Sequence, residues 1–386
     1  MCIRDSSSPG WRGRAWWLLP LLVASATVAA KTPWQPRMAK MSGALSGILL
    51  DVAAYRAPPE EAGWQRMLAN ARILTEFSHQ ARRDQDKPFA DPSLAIMAAG
   101  VAEDAKELEW ALKTRNLSYA RGMVFAVANG CVGCHARNAS GPQFPMATQV
   151  PGEEKLAPLE RAALHAATRR FDQAMDGYLK IIADPEGPTR QALDWDRAIS
   201  AALSVAIRVK KDPALAQQIA TSVANHPGAP QFIRRDAAAW TQAIQAWHAE
   251  PASVASEALL HQRAQMLLTQ AAASGGIHNK GSAAVQLLRA AAASHDQLDL
   301  APNGPLAAEA LWMLGVAYGQ LEGLELWTID LHYFAACIRK QPHSPVAARC
   351  FENYESSTWR EYAGTGPLEL PPDVSARLAQ LRALAL

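Results

Sequence analysis

Residues Leu117 to His135 read LSYARGMVFAVANGCVGCH. Tyr119, Met123, Val124 and Val127 recur at helical spacing and predict a helix running into Cys131-Val132-Gly133-Cys134-His135. That ending is C-x-x-C-H, the pattern of covalent haem attachment. The chemistry requires the spacing. Two thiols three residues apart on one helical turn can each add to one vinyl group of a porphyrin. His135 then lies under the iron and supplies an imidazole nitrogen as the proximal ligand. The implied cofactor is one haem c, with its iron. Two other readings use the same residues. A zinc site needs further Cys or His ligands at close spacing, and none follows nearby. A thioredoxin-like redox pair needs a βαβ context, and the surroundings read as helical.

Three more helices precede this one. The first runs from about Arg37 to Tyr55, with Met41, Leu45, Ile48, Leu49 and Val52 on one face, and Ala57-Pro58-Pro59 ends it. The second runs from about Glu61 to Arg83 with Trp64, Leu68, Ile73, Leu74 and Phe77. The third opens at Asp91-Pro92, a capping residue followed by proline at the first helical position, and carries Leu94, Met97, Val101, Leu108 and Leu112. Four amphipathic helices with short connections predict an up-down-up-down bundle over residues 31–137.

A C-x-x-C-H at the end of a fourth helix resembles the cytochrome c′ superfamily, in which haem is bound at the end of the last helix of a four-helix bundle. The resemblance covers roughly Trp34 to Arg137. Met-ligated members carry R-x-x-x-M in the first helix, and this chain has Arg37-Met38-Ala39-Lys40-Met41. The resemblance therefore implies Met41 as the sixth iron ligand, with Met38 and Met146 as rivals. Thioether sulfur opposite histidine raises the reduction potential and suits electron transfer. Met41 also reads as ordinary core filling. With no protein ligand there, the site is five-coordinate and open to small gases. The bundle is short, and the family's basic-aromatic tail after the motif is replaced by Ala136-Arg137-Asn138. Arg137 reads as an exposed residue past the helix, the alternative being a contact to a haem propionate.

Downstream, Gly141-Pro142-Gln143-Phe144-Pro145 and Pro151-Gly152 mark residues 138–152 as a linker. Residues 153–386 then read as an Ala-rich helical region. Leu314-Gly315 and Tyr318, followed by Tyr333-Phe334-Ala335-Ala336 and Pro342, resemble a tetratricopeptide repeat; Phe171, Ala174 and Tyr178 sit in a weaker copy. Further helices are read at 190–211, 213–225, 231–248, 255–273 and 283–295. Stacked hairpins imply a solenoid; the alternative is a non-repeat helical domain. The fold class is thus all-α: a four-helix cytochrome domain plus a C-terminal tetratricopeptide-like solenoid. Cys337 and Cys350 sit on consecutive helices of one hairpin and predict a disulfide, two buried thiols being the alternative.

The first thirty residues read as an export signal. Arg12 and Arg14 precede the apolar run Trp16 to Val23, and Val28-Ala29-Ala30 offers a cleavage site. A retained N-terminal anchor is the alternative, holding the protein at the inner membrane. Met1 to Ser6 (MCIRDS) resembles a translated cloning adapter, and Cys2 is given no role. Export to the periplasm agrees with covalent haem and a disulfide. The 386 residues, 49% of them hydrophobic, are enough for two cores, and a net charge of +2 implies neither nucleic-acid nor strong membrane binding. The remaining histidines show no paired metal spacing and read as solvated or hydrogen-bonded, the alternative for His165 being an approach to the haem from the second domain. No nucleophile-base pair or phosphate loop argues for an enzyme. The expectation is an exported monohaem cytochrome passing single electrons to a redox or scaffold protein partner. The alternative is a gas-binding sensor module with an open sixth site.

Overall fold

The computed structural model describes residues 34–54, 59–83, 91–137, 151–250, 256–274, 280–326, 328–362 and 369–386. The expected export signal, Met146 and the linker up to Val150 lie outside them. Among the described residues the secondary structure is helical and contains no strand. No described helix is long and apolar enough to cross a membrane.

The first four helices are α1 (Trp34–Ala54), α2 (Glu61–Arg83), α3 (Pro92–Lys113) and α4 (Leu117–His135). Local chemistry starts two of them. Asp91 accepts a bond from the Ser93 amide at 2.9 Å, ahead of Pro92 at the first helical position. Asn116 accepts from the Tyr119 amide at 3.1 Å and opens α4. Leu45, Ile48, Leu49 and Val52 of α1 are buried, as their spacing predicted. On α2, Trp64 and Leu74 are buried, whereas Leu68, Ile73 and Phe77 are half-buried at the edge of the core. Contacts run α1 to α2, α2 to α3, α3 to α4, and from α4 back to α1. Arg121 of α4 donates to the Val52 carbonyl at 3.2 Å, tying the last helix to the end of the first.

The later helices are α5 (Pro158–Ala167), α6 (Phe171–Ile182), the single turn α7 (Gly187–Arg190), α8 (Ala192–Ser204), α9 (Pro213–Ala224) and α10 (Gln231–His248). There follow α11 (Glu257–Ser274), α12 (Ala284–Leu300), α13 (Ala307–Tyr318), α14 (Ile329–Lys340), α15 (Pro345–Tyr362) and α16 (Pro372–Ala385). The predicted helix over 190–211 is α8 extended by one π turn at Val205–Val209, which carries Arg208 inward. Neighbours in sequence pack in pairs: α5 on α6, α9 on α10, α11 on α12, α13 on α14 and α14 on α15. The chain then returns on itself. α5 packs on α4 and α1, and α12 and α14 pack on α3, so one apolar core runs from α1 to α16.

Gly315 shows why α13 and α14 lie so close. A Cβ there would collide with the Phe334 ring. The next hairpin, α14 and α15, is closed by a Cys337–Cys350 disulfide with Cα atoms 6.4 Å apart.

Candidate haem-binding site

The site grows from the last turn of α4. Cys131, Cys134 and His135 stand at i, i+3 and i+4, so an α-helix sets them on one face. The spacer Gly133 lets α3 approach: a Cβ on it would collide with the Met97 methyl. Opposite this face, α1 presents Met38 and Met41. Together these five residues wall a cavity of about 70 Å³. Leu45, Val101, Ala167 and Thr168 complete an almost wholly apolar lining. Met41 is buried and Met38 half-buried.

Burial sets the protonation of Cys131, Cys134 and His135. The thiols of Cys131 and Cys134 are each pushed up to about 12, chiefly by desolvation. Their place in a C-terminal turn, where the helix dipole disfavours an anion, works the same way. Both thiols are free of any disulfide. A nucleophilic or redox C-x-x-C needs a stabilised thiolate, and this environment opposes one. His135 is lowered to about 4 by desolvation and by the nearby Arg169 guanidinium, against a hydrogen bond to the Ala167 backbone. At neutral pH its imidazole is therefore uncharged. An imidazole anchored through one ring N–H on a carbonyl keeps a lone pair on the other nitrogen, the usual arrangement of a metal-ligating histidine.

Other expected residues fall elsewhere. Arg137 is not exposed. Its side chain is 4% exposed and pairs with Asp91, itself 2% exposed. It also donates to Ser93. Its nearness to α12–α14, invisible as sequence spacing, takes it out of solvent. His165 faces Glu153 at 3.6 Å; the residues that reach the cavity from its helix are Ala167 and, just beyond, Thr168. Sequence reasoning missed these two and Arg169. They lie more than 30 residues from the motif and carry no pattern of their own. Among the described residues, no group of three or more His, Cys, Asp or Glu is arranged to hold a bare metal ion. A haem iron asks less of the protein, because the porphyrin supplies four nitrogens and the chain one or two axial ligands.

Comparison with protein-family models, with curated proteins and with solved structures finds no match.

Proposed function

We propose that this chain is an exported monohaem c-type cytochrome that passes single electrons. One observation carries the reading. A single apolar cavity is walled both by the whole C-x-x-C-H set of α4 and by the two methionines of the R-x-x-x-M stretch of α1. Cys131 and Cys134 would tether a haem as thioethers, and His135 and Met41 would be the side chains that hold its iron. When bound, the haem supplies an iron that cycles between ferric and ferrous states. The chain's own residues do the rest. The Ala167 backbone orients the His135 ring. Leu45, Val101 and Ala167 exclude water, and a dry setting opposes the more charged oxidised form.

The closed run of contacts among α1–α4 supports a four-helix cytochrome domain resembling cytochrome c′. The paired packing from α5 to α16, with Gly315 and Tyr318 at tetratricopeptide-like positions, supports a repeat domain over residues 153–386. In this reading the repeat domain docks a protein partner in the periplasm.

The test is the visible spectrum of the purified protein in both oxidation states, with and without carbon monoxide. A low-spin ferrous spectrum unmoved by the gas, and a far-red methionine-to-iron band in the ferric form, are expected. Met41→Ala should abolish that band. A high-spin spectrum that shifts readily with carbon monoxide would overturn Met41 ligation and favour gas binding. A spectrum without haem would overturn the whole reading.

A further inference from the structure

The other face of α3 lines a much larger space. Between α3 and the last three helices α14, α15 and α16 lies a cleft of about 1100 Å³. Its lining combines apolar surface (Ala99, Leu331, Ala336) with a rim of charge. Glu103, Asp104, Glu107, Glu361 and Asp373 outnumber Lys106, Arg339 and Arg377 along it. Part of this charge is already engaged. Glu103 meets His332 at 2.9 Å, and Arg377 bonds Tyr354. Asp104 is different. It is only 8% exposed, it lines the cleft, and its carboxylate has no hydrogen-bond or ion-pair partner among the described residues. A buried carboxylate without a partner is costly unless a proton or a cation meets it.

The cleft and the cavity share α3 as a wall. Ala98 and Val101 face the cavity, while Ala99 and Asp104 face the cleft. A protein seated in the cleft would therefore stand about one helix diameter, roughly 10 Å, from the cavity.

We propose that this cleft docks the electron-transfer partner, which inserts a lysine- or arginine-rich segment onto Asp104, Glu103 and Glu107. The partner's redox role rests on the function proposed above; its positive charge rests on the cleft alone.

Hexalysine is the probe, titrated calorimetrically into the full chain at low salt. Binding should weaken about tenfold in Asp104→Asn/Glu107→Gln and fade with added salt. Ala336→Trp, which fills the cleft without changing charge, should weaken it as well. Glu186→Gln/Asp194→Asn, neutralising two carboxylates beside α7 and α8, should leave it unchanged. Equal loss in this control, or no binding by the wild type, would overturn the proposal. In haem-loaded protein, hexalysine should slow oxidation of the ferrous form by cationic tris(phenanthroline)cobalt(III) and not by ferricyanide. Equal rates with and without the peptide would place electron exit elsewhere and overturn the redox role of the cleft. A chain lacking haem gives no oxidation signal and sinks the function, while calorimetry still decides the docking.

Discussion

Asp104 is a residue whose chemistry departs far from the ordinary behaviour of its type. Burial, with Glu103 and Glu107 beside it, pushes its carboxyl up to about 7 from an ordinary value near 3.8. Between those values the folded chain holds a proton that the unfolded chain has lost. This contribution is complete below about pH 4, falls as pH rises towards 7, and stays lost above that. Asp104→Asn should therefore gain on the wild type as pH rises. Urea midpoints at pH 5 and pH 8 measure it, and an equal gap at both would refute the protonation. His135 follows the opposite rule for a base. Desolvation keeps it neutral down to about pH 4, so its imidazole stays uncharged near neutrality.

Helix pairs raise different questions, because their energetics turn on closeness of approach. At the α13–α14 contact, Gly315→Val would drive methyls into the Phe334 ring, which is buried and has nowhere to move. A loss of about 1–3 kcal/mol is expected, the cost of overpacking a core. Thermal unfolding of the variant measures it, and a melting point equal to the wild type would mean that the helices can part. The α14–α15 hairpin is held by its disulfide across a separation of 13 residues. Replacing Cys337 and Cys350 by alanine should cost about 3 kcal/mol, mainly by freeing the unfolded chain. The same loss should follow from reduction of the wild type by dithiothreitol.

Across the whole molecule, a buried polar chain fastens α3 and α4 to the later helices. Arg137 pairs with Asp91, and Ser93 lies 3.3 Å from Nδ1 of His295. Nε2 of His295 lies 2.9 Å from the Tyr318 hydroxyl, which accepts from Arg208 at 2.8 Å. His295 is held well below its usual range, first by burial and then by Arg137 and Arg208, so this chain carries the positive charge on its arginines alone. Arg137→Met strands the Asp91 carboxylate and should cost about 3–5 kcal/mol. Adding Asp91→Asn should restore part of that loss, because the uncompensated charge is then gone. Chemical denaturation of the single and double variants decides it: strictly additive losses would mean that the pair is not coupled.

Sequence alone determined what depends on neighbours within about four residues. The spans of α2, α4, α9 and α10, the Asp91 cap and the common face of Cys131, Cys134 and His135 are all local consequences of helical period and backbone bonding. The Cys337–Cys350 pairing was legible too, because a hairpin is a short-range object. The tertiary structure decided the rest. It brought Met38 and Met41 across from α1, closed the cavity with Ala167 and Thr168, buried Arg137 and opened the cleft against α3. Apart from the R-x-x-x-M stretch that marks Met41 by resemblance, none of these has a sequence signature, since each depends on apolar faces meeting over tens to hundreds of residues. The hydrophobic effect that drives such meetings is non-directional, so partners are chosen by the packing of the whole chain rather than by any local pattern.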